Sequence, residues 1–272
     1  KLDTAMGLTW EYGDYLDRDE SLRASATSGQ PIVLGYLMTV AFGFVLYLRR
    51  TIPSTALWLT GLVLIIGGEI APISRGPWIG FGVVILAYFA LGDKAARRLG
   101  FLALVGLLSL PLLFTTAVGA KVIDLLPFIG TIEAGNVGYR ERLLELSLQI
   151  IGYSPLFGEP NFLIYLEELR QGQGIIDMVN SYLIIALNSG LVGLSLFLGF
   201  FGAIMRGIYR RMRAMDKTDE QHELGQALIA TLLGILAMIA TVSPISYISV
   251  VYWAIAGLGL AYVRLPKAAV PT

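Results

Sequence analysis

The sequence predicts an all-α membrane protein, a polytopic bundle of about seven transmembrane helices with one large helical loop on its outer side. Three observations predict it. The chain is 56% hydrophobic and only 15% charged, too apolar for a soluble domain that must cover its surface with polar groups. Apolar runs close to the roughly 17–25 residues that cross a bilayer recur along it. The basic residues fall in alternate loops, as the positive-inside rule requires. Cysteine is absent and His222 is the single histidine, so disulfide frameworks, thiolate metal sites and multi-histidine centres are excluded.

Residues 1–30 read as a polar segment on the outer side, with no initiator Met and no signal peptide. An odd number of spans preceded by an outer-side start is expected of the C-terminal part of a longer protein. Residues 31–118 hold four expected spans: Pro31–Leu48, Thr55–Ile73, Trp78–Leu91 and Leu99–Val118. Residues 119–177 form the large extracytoplasmic loop with short helices. Residues 178–272 hold three more spans (Met178–Met205, Leu228–Val242 and Ile245–Val263) and a cytoplasmic tail. The third and sixth runs are short, so tilt, a break or extension into their flanks is expected there.

Orientation follows from charge. Arg49, Arg50, Lys94, Arg97, Arg98, Arg206, Arg210, Arg211, Arg213, Lys217, Arg264 and Lys267 all fall on one side if the spans alternate. That side is expected to be cytoplasmic. The other side carries fifteen acids against eight basic residues.

Arg75 stands out on the acidic side, in Ser74-Arg75-Gly76-Pro77-Trp78, a break between two apolar runs. A guanidinium beside the hydrocarbon costs about 2.5–3.5 kcal/mol on insertion scales, so a partner or a function is expected for it. Glu69, near the outer end of the second run, is an intramembrane acid and the nearest candidate partner. Gly76 and Gly80 have the GxxxG spacing of close helix packing. Trp10, Tyr12, Tyr15, Trp58, Trp78, Tyr153 and Trp253 read mainly as an interfacial belt.

Within the loop, Tyr139–Ile151 reads as an amphipathic helix. Leu143, Leu144, Ser147, Ile150 and Ile151 share one side, and Glu141, Arg142, Glu145 and Gln149 the other. Arg140 falls near the centre of the apolar side, which predicts that it points inward. Arg142 falls on the polar side beside Glu145 at i+3, which predicts a local ion pair. The helix stops at Gly152-Tyr153-Ser154-Pro155, a turn signal. Glu159–Arg170 reads as a second short helix, followed by a hinge at Gln171-Gly172-Gln173-Gly174, which lacks the spacing of a phosphate-binding loop.

The fifth run opens with Asp177-Met178-Val179-Asn180-Ser181-Tyr182. Asp177 is expected to be its N-cap, and Asp177, Ser181, Asn188 and Ser195 fall in one polar stripe, to be used as interhelical glue or as a cavity wall. His222, among Asp219, Glu220 and Glu223, reads as a solvated residue of a cytoplasmic loop.

Together these segments resemble the O-antigen ligase/polymerase superfamily. The resemblance rests on the Ser-Arg-Gly at an outer boundary, Tyr139-Arg140-x-Arg142-Leu143 in one large outer loop, and the Ser154-Pro155-Leu156-Phe157-Gly158 turn. It also rests on Asn180-Ser181-Tyr182-Leu183 at the start of a helix that reaches Ser189-Gly190-Leu191-Val192-Gly193. It covers most of the chain from about Arg23 onward, as the C-terminal half of such proteins, which carry about a dozen spans.

The resemblance implies a metal-independent, inverting glycosyltransferase with no cofactor. Its donor would be an undecaprenyl-diphosphate-linked glycan and its acceptor a glycan or lipid-linked hydroxyl, on the outer face of the bacterial cytoplasmic membrane. No nucleic-acid partner is implied; a chain-length regulator protein is. A diphosphate leaving group calls for cations, and arginine's planar fork suits phosphate oxygens. Arg75, Arg140 and Asp177 are therefore the catalytic candidates. Arg142, Asn180, Ser181 and Glu69 are the substrate-binding candidates. The chain departs from the ligase pattern at Val179, where a ligase has His, so Asp177 stands in as base or acceptor orienter. That departure favours exopolysaccharide or O-antigen polymerisation over ligation. Two other readings stand beside it: a transporter or flippase for a polysaccharide precursor, with Arg75, Glu69 and Asp177 lining a path, and a non-catalytic membrane scaffold.

Overall fold

The computed structural model describes residues 17–18, 21–116, 134–170, 174–245 and 247–265. The polar tract to residue 16 with its three belt aromatics, the first part of the expected loop (117–133) and most of the Gly-rich hinge (171–173) lie outside the described residues.

Described residues are helical apart from short connections, two 3-10 segments and a two-residue antiparallel strand pair, β1 (Asp17–Arg18) and β2 (Ser21–Leu22). The α-helices are α1 (Pro31–Leu48), α2 (Thr55–Ile70), α3 (Arg75–Leu91), α4 (Ala95–Thr115), α5 (Ala134–Tyr153), α6 (Ser181–Met212), α7 (Glu220–Ile239) and α8 (Ile248–Arg264). The helices α1, α6 and α7 are long and apolar enough to cross a membrane; α2, α3 and α8 are shorter apolar helices.

Local chemistry accounts for most helix starts. Pro31 occupies the first turn of α1, where its missing N–H costs nothing. The Ser54 hydroxyl accepts from Leu57 N at the start of α2. Asp219 accepts from Gln221 N and so begins α7 eight residues before the expected Leu228. Glu220 and Glu223 add negative charge to that first turn, where the helix dipole favours it. One consequence corrects the reading of His222. It lies in the first turn of α7, not in a loop, and is buried at 4% exposure.

The centre of the bundle is α7, packed by α1, α3, α6 and α8. Leu228, Leu232, Ile235 and Met238 of α7 join Val33 and Tyr36 of α1, Phe201 and Ile208 of α6 and Ile255 of α8 in one core. The most extensive helix–helix contact is between α3 and α7. A Cβ on Gly80 would lie 2.9 Å from Gly234 O, and a Cβ on Gly234 would lie 2.9 Å from Gly80 O. Both positions need hydrogen in place of a side chain, which explains Gly80. Gly76, one turn earlier, abuts Thr241 and Val242 just beyond α7. The outward side chains of α4 (Phe101, Leu104, Leu107, Leu108 and Phe114) are exposed and apolar.

A second, smaller core holds the loop. Leu143 and Ile150 of α5 pack with Phe162, Leu166 and Leu169 of the 3-10 segment Phe162–Leu169 and with Met178 and Leu187. The expected second short helix is thus a 3-10 segment. It is fastened to α6 at a break. Gly190 has φ 65° and ψ −171°, which interrupts α6. The break frees backbone groups, and the loop takes them up: Glu159 N donates to Leu187 O (2.7 Å), Leu191 N to Pro155 O (2.8 Å) and Val192 N to Leu156 O (3.2 Å). Backbone polar groups in apolar surroundings need such partners. Two of the motifs singled out in the sequence, Ser154–Gly158 and Ser189–Gly193, are therefore the two halves of one joint.

Candidate functional site

The candidate residues gather where α3 begins and α7 ends. The turn leading into α3 is strained at Ile73, with φ 48°, and is held from outside by Arg23, whose Nε donates to Pro72 O at 2.8 Å. Partial burial lowers the pKa of that guanidinium. Ser74 is the buried N-cap residue, and Arg75 is the first residue of α3, half-buried.

From Gly76 the contacts run through Thr241-Val242-Ser243. A Cβ on Gly76 would lie 2.8 Å from Thr241 Oγ1 and 2.9 Å from Val242 Cγ2. Ser181 Oγ donates to Val242 O at 2.8 Å. Ser243 Oγ donates to Asp177 Oδ1 at 2.5 Å. The Tyr139 hydroxyl donates to Asp177 O at 2.9 Å. A continuous path of contacts thus links the neighbour of Arg75 to Ser181 and Asp177, and on to the neighbour of Arg140. The turn at Thr241–Ser243 was missed from the sequence, where the apolar run ends at Val242 and the next begins at Ile245.

Several expectations need correction. Asp177 is not the N-cap of α6. Val179 sits at φ 37°, so the helix starts later, and Asn180 caps it, accepting from Tyr182 N (2.9 Å) and Leu183 N (3.3 Å). Asp177 instead accepts from Val179 N and Ser243, with its side chain exposed. The polar stripe does not run as expected either. Ser181 is buried, Asn188 and Ser195 are exposed, and the break at Gly190 separates them.

Arg140 is exposed rather than inward. The buried face of α5 is centred on Leu143, Ser147 and Ile150, with Tyr139 and Leu146 packed alongside, while Leu144 and Leu148 are exposed. That places Arg140 at the rim of the packed face, with no ion-pair partner among the described residues. Arg142 is engaged as expected with Glu145 (2.8 Å), and also with Glu168 across the loop (2.6 Å). Those two carboxylates raise its pKa above the usual arginine value. Arg170 is likewise held by Glu167, whose carboxyl it lowers.

Glu69 and Arg75 do not form the expected pair. The Glu69 side chain is 2% exposed, and its Oε2 accepts from Thr39 Oγ1 of α1 at 3.0 Å. Its Oε1 has no hydrogen-bond partner among the described residues. Thr39 also lies 3.3 Å from Pro77 O, and the Trp78 indole donates to Glu69 O at 3.0 Å. Glu69 therefore joins α1, α2 and α3 in the interior of the bundle, and Thr39 is the partner that sequence reasoning missed. Thr39→Val keeps the shape but leaves both carboxylate oxygens unbonded. It is expected to destabilise the protein by about 1–3 kcal/mol, read as a lowered midpoint of thermal unfolding in detergent.

The arrangement can do two chemical things. An exposed guanidinium at Arg140 offers planar donors to phosphate oxygens, and the half-buried Arg75 adds a second positive charge at the start of α3. An exposed carboxylate at Asp177, oriented by Ser243, can take a proton. Among the described residues no three His, Asp or Glu side chains gather as metal ligands. No family model and no curated protein matches the chain.

Proposed function

We propose that this protein is a membrane glycosyltransferase of the O-antigen polymerase/ligase type, acting on undecaprenyl-diphosphate-linked glycans at the outer face of the bacterial cytoplasmic membrane. In this reading the helices form about seven spans, with the basic loops inside and the end bearing Arg75, Arg140 and Asp177 outside. The single observation that carries it is the path of contacts through Thr241–Ser243, along which two guanidinium-bearing segments and a carboxylate meet at one end of the bundle.

The reaction is a single displacement. The acceptor hydroxyl attacks the anomeric carbon of the donor glycan as the bond to the diphosphate oxygen breaks, which inverts configuration. Negative charge grows on the leaving diphosphate, and Arg75 and Arg140 stabilise it. The hydroxyl proton passes to Asp177, whose Oδ1 is held by Ser243, leaving Oδ2 to receive it. Asn180 and Ser181 hold the start of α6 in place behind Asp177. Arg142, shared between Glu145 and Glu168, orders the loop and reaches donor phosphates only by exchanging a carboxylate. The reading takes polymerisation over ligation, because Val179 stands where a ligase has His.

A transport reading gains one feature, the interrupted helix α6, since broken helices line many transport paths. The freed backbone groups are taken up by the loop and offer nothing to a solute, so the transferase reading is the better supported. Arg140→Ala tests it in cells that depend on this protein for polymer. Polymer is expected to vanish while single lipid-linked repeat units accumulate and the protein still inserts. Normal polymer in that variant rules out the assignment of Arg140.

A further inference from the structure

A cavity of about 420 Å³ lies at the opposite end of the bundle, where α3 and α6 finish and α7 begins. Leu91, Met212 and Met215 form its apolar wall; Tyr209, Arg213, Lys217 and His222 supply its polar groups. Two features point to an anion as its occupant.

No carboxylate lines it. Arg213 lies over the Tyr209 ring at 5.9 Å, and Lys217 Nζ donates to Gly92 O at 3.2 Å. Neither cation has an ion-pair partner among the described residues. Asp219 caps α7 through Gln221 N, and Glu223 pairs with Arg50 at 3.4 Å.

We propose that this cavity binds a phosphate group, held by Arg213 and Lys217. Arginine and lysine together give a fork and a point charge suited to phosphate oxygens. The apolar wall of Leu91, Met212 and Met215 accommodates the glycerol and acyl portion of an anionic phospholipid, while a free phosphate would use the polar groups alone. The proposal does not depend on the transferase reading, because the site shares no residue with Arg75, Arg140 or Asp177.

The test uses the purified protein in mild detergent, with phosphatidylglycerol, phosphatidylcholine and inorganic phosphate as probes. Native mass spectrometry is expected to show phosphatidylglycerol retained over phosphatidylcholine, and R213Q/K217Q to weaken that retention about tenfold or more. Thermal stabilisation by inorganic phosphate, with no lipid preference, would assign the same site to a free phosphate; it too should vanish in R213Q/K217Q. Both side chains are exposed, so the variant should unfold at the wild-type temperature without ligand, and K217Q alone provides a milder second variant. Retention and stabilisation that are unchanged in these variants, or absent from the wild type, overturn the proposal.

Discussion

Arg75→Ala is expected to reduce glycan transfer by about 10²–10³-fold, the usual cost of removing one donor aimed at developing negative charge. The residue is the first of α3, and the N–H groups of that helix terminus also favour a phosphate. Arg75→Lys keeps the charge but loses the planar fork, and should recover only part of the activity. The measurement is transfer from a lipid-diphosphate-linked glycan donor by purified variants with matched thermal midpoints. Full activity in Arg75→Ala would make the residue structural and move the donor site to Arg140. If Arg75→Ala instead lowers the thermal midpoint without slowing transfer, the half-buried guanidinium serves the fold.

The second large effect is expected at the joint between the loop and α6. Gly190 occupies φ 65° and ψ −171°, a region essentially reserved for glycine. A side chain there costs about 1–3 kcal/mol in backbone strain alone. Its Cβ would also lie 2.2 Å from Leu156 O, a backbone atom that cannot swing aside. Gly158 mirrors it, at φ 74° with a Cβ position 2.4 Å from Leu187 O. Gly190→Ala and Gly158→Ala are therefore expected to undock Ser154–Gly158 from α6. The hydrogen bonds to Leu187 O, Leu191 N and Val192 N would break, and the 154–170 segment would become open to protease. Asp177 would be displaced along with it, so transfer should fall too. Gly152→Ala is the control, since nothing lies within 4 Å of a Cβ there. Equal protease resistance in all three variants would show that the joint does not hold the loop.

Much of the helical layout was legible in the sequence. Where lipid and core both select apolar residues, run length alone marks the element, and α1 was read at its observed bounds, Pro31–Leu48. The start of α7 was not, because its first two turns carry Glu220, His222, Glu223 and Gln226 and read as a loop. The direction of Arg140 failed for a related reason. In a soluble helix the apolar face is the packed face, but here Leu144 and Leu148 are exposed while Leu143 and Ile150 are buried. Hydrophobic periodicity cannot separate lipid-facing from protein-facing positions. The break at Gly190 was hidden inside an apolar run, although the Ser-Gly and Ser-Pro motifs on either side of it had been singled out. Glu69 was visible as an intramembrane acid, and only packing could show that Thr39 is its partner. The Arg142–Glu145 pair, set by i,i+3 spacing on one helix, was predicted and is present.

The central claim is that this bundle transfers glycan from a lipid diphosphate using arginines and a carboxylate carried by segments that are linked through Thr241–Ser243. It is tested most directly by incubating the purified protein in lipid with an undecaprenyl-diphosphate-linked oligosaccharide and following both products. The account predicts longer glycans, inverted configuration at the new linkage and one undecaprenyl diphosphate released per transfer, all lost in Asp177→Asn combined with Arg140→Ala. Passage of an intact solute across the membrane with no diphosphate released would contradict it.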